Sequence, residues 1–167
     1  MKDIPTPSDW AGGPPAFEKL TEVFYDKVFK DDLLEPVFRN MAPGHAKHVA
    51  HFIAEVLMGP KVYTGEYGPE ALKHMVGKHI GKMLTEPQRK RWMQLLLESA
   101  DEVGLPDDPE FRSTFVAHIE WGSRVAVLNS QLKENPTTDQ DHIPEWGWGE
   151  VKGPYTVVGS LFQKKDT

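Results

Sequence analysis

Apolar residues recur at intervals of three or four along most of the chain, in blocks that end at glycine or proline. One block begins after residues 12–15 and carries Phe17, Leu20, Phe24 and Val28. This spacing places apolar side chains on one face of an α-helix, and no comparable strand pattern precedes the C-terminal tail. The sequence therefore predicts an all-α protein, with helices over about 14–28, 45–58, 69–79, 85–104 and from 109 to just before Pro136.

Helix-capping residues mark the start of two of these blocks. Thr85 and Gln88 have the spacing of a capping box, and Asp108 precedes a proline at the first position of the last long helix. Between helices, residues 63–68 are rich in glycine and tyrosine and predict a loop. Pro136 begins a tail rich in proline and tryptophan, so we divide the chain into a helical domain of residues 1–135 and an irregular extension of residues 136–167.

Composition excludes several classes of protein. The 167 residues suit one domain, and they contain no cysteine, which excludes disulfides, cysteine-ligated metals and thiol nucleophiles. A formal charge of −6 argues against nucleic-acid binding, which usually requires a basic surface. No apolar run reaches the roughly 20 residues of a membrane-spanning helix, and no signal peptide is visible. We therefore expect a cytoplasmic protein without a membrane partner.

Seven histidines are the main candidates for chemistry, because the chain has no phosphate-binding loop and no serine nucleophile elbow. His45, His48 and His51 follow one another at intervals of three, and solvent contact or capping is the simplest role for the last two. His118 lies among apolar residues, which predicts a hydrogen-bonded core histidine. His79 differs, since it closes one helix shortly before a capped helix begins. Such an imidazole can serve as the single axial ligand of a haem iron.

An ordered set of residues resembles the truncated haemoglobin family, in particular its second group, which has a tryptophan on the distal side. The set consists of Phe24-Tyr25, Pro36-Val37-Phe38, His45, Val49, Phe52, the run Gly59-Pro60-Lys61-Val62-Tyr63, His79 and Trp92. It covers roughly residues 10–133. His74 is an alternative proximal histidine, but the interval of thirteen residues between His79 and Trp92 favours His79.

The resemblance implies a globin-like two-over-two helical sandwich around haem b, followed by the irregular extension. His79 would ligate the iron, and the hydroxyl of Tyr25 and the indole N–H of Trp92 would enter the distal pocket, with His45 at its gate. The other implied contacts are Phe24, Phe38, Val49 and Phe52 in the pocket, and Lys61, Tyr63 and Lys78 beside the haem propionates.

The same resemblance implies binding of O2, CO, NO or peroxide. Peroxidase or NO dioxygenase activity, an unidentified reductase and a homodimer are left open. A His45 that exchanges protons near physiological pH would favour peroxide chemistry.

Three features depart from the family pattern. Many second-group relatives have a tyrosine where this chain has Phe38, so this pocket has one hydrogen-bond donor fewer. Met58 stands where glycine is common before Gly59-Pro60. The tail after Pro136 exceeds the usual family length.

Two other classes of protein remain as alternatives. His51 and Glu55 have the His-x-x-x-Glu spacing of haemerythrin-like proteins, which would make the chain a non-haem metal protein on a helical bundle. The partner His-x-x-x-His pair is missing, and no Glu-x-x-His repeat suggests a di-iron site. A cofactor-free interaction module that uses the tryptophan-rich tail is the third possibility.

Overall fold

A computed structural model describes residues 3–155, and every regular element within that range is helical. The α-helices are α1 (Pro7–Ala11), α2 (Pro14–Val28), α3 (Glu35–Phe38), α4 (His45–Val56), α5 (Val62–Tyr67), α6 (Ala71–Gly77), α7 (Glu86–Glu102) and α8 (Pro109–Ser130), with 3-10 turns at Gly68–Glu70 and Gly149–Val151. The predicted all-α class is confirmed. Among these helices none has the length and apolar character needed to cross a membrane.

The four long helices form two packed pairs. α2 lies against α4, α7 lies against α8, and contacts between α2 and α7 join the two pairs. The interface buries one continuous apolar cluster, whose members on these four helices include Phe17, Leu20, Phe24, Tyr25, Ile53, Leu95, Leu96, Phe111, Phe115 and Ile119. Each such side chain contributes roughly 1.5–3 kcal/mol through removal of its apolar surface from water. The predicted apolar face of α2, formed by Phe17, Leu20, Phe24 and Val28, is therefore the face that enters the core.

Both predicted helix caps are present. The backbone N–H of Gln88 donates to Thr85 Oγ1 at 3.3 Å, and the backbone N–H of Thr85 donates to Gln88 Oε1 at 2.9 Å. At the start of α8, the backbone N–H of Phe111 donates to Asp108 Oδ1 at 2.9 Å. These bonds satisfy N–H groups that have no partner within the helix, which is why the boundaries follow the local sequence.

The predicted loop over residues 63–68 is wrong, because α5 forms there. Thr64 donates both its backbone N–H and its hydroxyl to the carboxylate of Glu55, which is only 4% exposed. Tyr63 is fully buried beside them. Contacts with α4 thus override the weak helix propensity of a segment that contains Gly65.

The chain turns sharply after α4 at Met58, the position where the related family commonly has glycine. α4 ends at Val56, and Met58 has a φ of +64°, in the left-handed region that favours glycine. Gly59 follows it closely against α1: an added Cβ would lie 2.4 Å from Ser8 Oγ. Glycine is therefore required at position 59 for space. At position 58 a methionine adopts the left-handed backbone conformation that glycine would adopt without strain.

The described part of the extension lies on the helices. The backbone N–H of Trp146 donates to the Val56 carbonyl at 2.7 Å, and the indole N–H of Trp148 donates to the Pro5 carbonyl at 2.7 Å. The predicted apolar stretch of residues 155–158 lies, after Tyr155, outside the described residues. The division of the chain at residue 135 stays a prediction.

His118 lies in the core, as predicted, but without the predicted satisfaction of its polar atoms. It is 5% exposed, and its Nδ1 has no hydrogen-bond partner within residues 3–155. Its ring centroid lies 6.2 Å from that of Trp146 and 6.4 Å from that of Phe52. Burial lowers the pKa of His118 to about 4, so the ring is neutral at pH 7.

Candidate functional site

Tyr25 stands at the centre of an aromatic cluster between α2, α3 and α4. It is 4% exposed, and its ring packs edge-on against Phe24, Phe38 and His45, with centroid distances of 4.9, 5.6 and 5.5 Å. Its hydroxyl lies 3.0 Å from His45 Nε2. Burial raises the pKa of the phenol, so Tyr25 is neutral and holds one proton to donate.

Trp92 lies beside this cluster on α7. Its ring packs edge-on against Phe24 at a centroid distance of 5.7 Å, and the side chain is partly buried. Within the described chain its indole N–H makes no hydrogen bond, so Trp92 adds a second donor near Tyr25. The rings of Tyr25 and Trp92 both pack on Phe24, so the packing of α2 against α7 brings the phenol and the indole to the same cluster.

Val49 and Phe52 continue the His45 face of α4. Val49 is partly buried against the core cluster. Phe52 is half-buried, and its ring centroid lies 5.3 Å from that of Tyr63. The face therefore changes along α4 from a polar end at His45 to an apolar end at Phe52.

His45 faces the segment that carries His79. Burial is the main reason that the pKa of His45 falls to about 4, and the charges of Lys78, His79 and His48 lower it further. The expectation that His45 exchanges protons near physiological pH is wrong, because the ring is neutral there. The charges of Lys78 and His79, which follow α6 in the chain, therefore act on the ring of His45.

His79 lies in the turn after α6, where its backbone N–H donates to the Val76 carbonyl at 2.9 Å. The imidazole makes a hydrogen bond to the backbone carbonyl of Met75, and burial lowers its pKa. A ring nitrogen that donates to a carbonyl fixes the tautomer and leaves a lone pair on the other nitrogen. His79 is thus a neutral imidazole held ready to coordinate a metal.

A second cluster, which the sequence did not predict, joins α4 to α5 and α6. His48 Nδ1 lies 3.0 Å from the hydroxyl of Tyr67, and His48 Nε2 lies 3.0 Å from a carboxylate oxygen of Glu66. The ring of Tyr67 stacks on that of His74 with their centroids 3.7 Å apart, and the hydroxyl of Tyr63 lies 2.9 Å from His74 Nδ1. We call these five residues the histidine–tyrosine cluster. Only the short spacing between His45 and His48 on one helix hinted at it.

Of the three side chains predicted beside the propionates, Tyr63 belongs to the histidine–tyrosine cluster, Lys78 acts electrostatically on its His74, and Lys61 does neither. Lys78 affects the pKa of both His45 and His74, and Tyr63 is bonded to His74. Lys61 is instead exposed, with its Nζ 3.8 Å from a carboxylate oxygen of Glu145. The structure therefore groups Lys78 with the histidines and places Lys61 on the side of the extension.

The residues of the haemerythrin-like alternative do not converge. His51 Nε2 lies 2.7 Å from a carboxylate oxygen of Glu18, whereas Glu55 accepts from Thr64. No group of three or more histidine, aspartate or glutamate side chains that could hold a metal ion occurs within residues 3–155. A multi-ligand metal centre is therefore not favoured, in contrast to a single histidine that ligates a larger group.

A two-layered arrangement of helices with a buried phenol on α2 and a neutral imidazole in the turn after α6 is typical of a globin. The chain belongs to the bacterial-like globin family, whose model matches residues 8–121. This membership implies haem binding and the capture of small gaseous ligands such as O2.

Its relatives are truncated haemoglobins. The chain is 25% identical over 122 residues to the group 2 truncated haemoglobin YjbI of Bacillus subtilis. The aligned region covers 73% of this chain and 89% of that protein. It is 30% identical over 108 residues to a group 1 truncated haemoglobin of Tetrahymena thermophila, covering 64% and 84% of the two chains. The predicted resemblance to truncated haemoglobins of the second group is confirmed.

Solved structures agree on the fold. The group II truncated haemoglobin of Bacillus anthracis superposes with a TM-score of 0.63 at 24% identity, covering 78% of this chain and 95% of that one. The truncated oxygen-avid haemoglobin of Bacillus subtilis gives 0.63 at 25% identity, covering 74% and 99%. The predicted globin-like helical sandwich is confirmed.

The donor set of this chain fits a haem. His79 supplies a neutral nitrogen whose ring is already oriented by the Met75 carbonyl. Tyr25 and Trp92 supply two neutral donors on the α2–α7 side, and Lys78 supplies a cation near His45. These are the kinds of group that haem binding requires: a neutral imidazole nitrogen for the iron, hydrogen-bond donors for a small polar ligand and a cation for a carboxylate.

Proposed function

We propose that this chain binds haem b through His79 and uses it to hold O2 or another diatomic ligand beside Tyr25. The observation that carries the proposal is the buried phenol of Tyr25, whose hydroxyl lies 3.0 Å from His45 Nε2 inside an aromatic cluster, in a chain of the globin family whose His79 lies in the turn after α6. When bound, the haem iron supplies the open coordination position that a diatomic ligand occupies.

The phenol of Tyr25 would stabilise a polarised ligand by donating its one proton. The cluster of Phe24 and Phe38 around it excludes water, so a hydrogen bond there is worth more than one at the surface. Trp92 would add its indole N–H from α7. Both side chains place a single donor on a large apolar body, which suits a dry pocket.

His45 would decide whether the Tyr25 proton is available. If Nε2 of His45 carries the hydrogen, it donates to the phenol oxygen and leaves the phenol proton free for the ligand. If Nδ1 carries the hydrogen, Nε2 accepts the phenol proton and the ligand loses its donor. Because His45 stays neutral at pH 7, this choice is between tautomers and not between charge states.

The haem propionates would lie toward Lys78. Burial lowers the pKa of Lys78, and Lys78 in turn lowers the pKa of His45 and of His74. A carboxylate placed there would pair with the ammonium group of Lys78. Tyr63 is the second supported contact through its bond to His74, whereas Lys61 would have to leave Glu145.

Reconstitution of the purified protein with haem tests the proposal. We expect an intense Soret band that shifts when CO is added to the reduced protein. A colourless protein, or one with an iron–oxo spectrum, would contradict it.

The variants His79→Ala and His74→Ala form a matched pair. His79→Ala should lose haem or require added imidazole, because it removes the proposed iron ligand. His74→Ala should keep the Soret band, because His74 Nδ1 is bonded to Tyr63 and its ring is stacked on Tyr67. Loss of the band in His74→Ala alone would assign the iron to His74.

A further inference from the structure

The backbone just after His79 is held by the end of α8. The N–H of Met83 donates to the Ser130 carbonyl at 3.1 Å, and the N–H of Leu84 donates to Ser130 Oγ at 3.0 Å. The side-chain amide of Gln131 donates in turn to the Leu84 carbonyl at 2.9 Å. Ser130 is fully buried, so water has little access to its two acceptor oxygens.

The backbone just before His79 is held by Asn135. Its Nδ2 donates to the Lys73 carbonyl on α6 at 2.8 Å, across 62 positions of sequence. Its Oδ1 accepts from the backbone N–H of Thr137 at 3.0 Å, which fixes the orientation of the amide. The approach is close enough that a Cβ on Gly77 would lie 3.4 Å from Asn135 Nδ2.

The segment between these two attachments needs external support. His79 lies in a turn outside α6, and Met83 has a φ of +52° although it is not glycine. A non-glycine residue in the left-handed region is strained and persists where surrounding contacts hold it. The bonds from Ser130 to Met83 and Leu84 are such contacts.

We propose that Ser130, Gln131 and Asn135 form a collar that positions His79 for its bond to the haem iron. The inference rests on the proposed function. All three residues lie beyond residues 8–121, the part of the chain that the family model matches. The end of α8 and the residues just after it thus act on the site through the backbone on both sides of His79, and the three are positioning residues that would not touch the iron.

Two variants test the collar, each removing one attachment. Asn135→Asp keeps the acceptor for Thr137 but replaces the donor to the Lys73 carbonyl with a carboxylate oxygen. Ser130→Ala removes the hydroxyl that accepts from Leu84 and leaves the carbonyl that accepts from Met83. The matched control is Thr114→Val, which removes the 2.7 Å bond from Thr114 Oγ1 to the Gly147 carbonyl. That bond also attaches the extension to α8, but far from His79.

The decisive measurements are the iron–histidine stretching frequency of the reduced holoprotein, by resonance Raman spectroscopy, and the rate of haem transfer to excess apomyoglobin. We expect Asn135→Asp and Ser130→Ala to shift or broaden the stretching band and to speed haem loss about 2- to 10-fold, the effect of one neutral hydrogen bond. Thr114→Val should change neither quantity. Thermal unfolding of the three apoproteins reports the purely structural loss.

Two results would overturn the collar. One is an unchanged band and rate in both variants. The other is a change in haem loss that Thr114→Val reproduces at the same loss of apoprotein stability. Neither result would affect the proposed function, which fails separately if the unaltered protein takes up no haem or if His79→Ala retains the iron–histidine band.

Discussion

Replacing Tyr25 with phenylalanine removes one oxygen atom from the centre of the site and leaves the packing intact. The ring of Tyr25 is 4% exposed and is enclosed by Phe24, Phe38 and His45 at centroid distances of 4.9–5.6 Å. A phenylalanine ring fills the same space. The hydroxyl has one hydrogen bond, to His45 Nε2 at 3.0 Å.

The expected loss of fold stability is small and the expected loss of ligand stabilisation is large. A neutral hydrogen bond contributes about 0.5–1.5 kcal/mol. Because the half-buried His45 can bond to water instead, the free energy of unfolding should fall by about 1 kcal/mol or less. A donor to a partly charged ligand contributes about 1.5–3 kcal/mol. Loss of that donor should speed O2 dissociation by about 10- to 150-fold.

Stopped-flow measurement of O2 dissociation from the reduced holoprotein checks this difference, with urea unfolding of the same samples as the measure of stability. Tyr67→Phe is the control, because Tyr67 also bonds a histidine, His48 Nδ1, at 3.0 Å but lies in the histidine–tyrosine cluster. Equal dissociation rates in Tyr25→Phe and the unaltered protein would refute the assignment of Tyr25 as the ligand's donor. So would an equal acceleration in Tyr67→Phe.

Two further predictions concern stability. Burial lowers the pKa of His118 from its ordinary value of 6.5 to about 4 in the folded protein. Between these pH values the unfolded chain binds a proton that the folded chain does not. The free energy of unfolding should therefore be highest above pH 6.5 and should fall by up to about 3 kcal/mol as the pH falls toward 4. Urea unfolding at pH 7 and pH 4.5 should show a smaller pH effect in His118→Leu, and an unchanged effect would contradict this. Met83→Gly should raise the free energy of unfolding by about 0.5–1 kcal/mol, because Met83 is 61% exposed and has a φ of +52°. Thermal melting with Met83→Ala as the control would disprove this if alanine stabilised equally.

Local sequence predicted what depends on local physics. The spacing of Phe17, Leu20 and Phe24 predicted the buried face of α2, and the Thr85 capping box predicted the start of α7. Local sequence predicted a loop at residues 63–68, where α5 forms instead. The decisive contact there is the hydrogen bond from the backbone N–H of Thr64 to the carboxylate of Glu55 on α4. A contact between elements leaves no mark on the periodicity of either one.

The candidate site divides in the same way. The sequence identified Tyr25, His79 and Trp92 as types of side chain that can surround a haem and its ligand, and the histidine that closes a helix was visible as such. It did not predict that His45 is neutral at physiological pH. That property follows mainly from burial, with smaller contributions from the charges of Lys78, His79 and His48, and the burial of His45 is decided by the tertiary structure.

By itself, then, the sequence determined the four long helices, two of their caps, the apolar face of α2 and the kinds of donor that this chain carries, because each of these depends on residues a few positions apart. The tertiary structure alone decided which groups meet: His45 with Tyr25, His48 with Tyr67, and Asn135 with the helix before His79. The physical reason is distance along the chain. Hydrogen bonds and burial act over a few ångströms in space, and the residues that they join here are 19 to 62 positions apart in sequence.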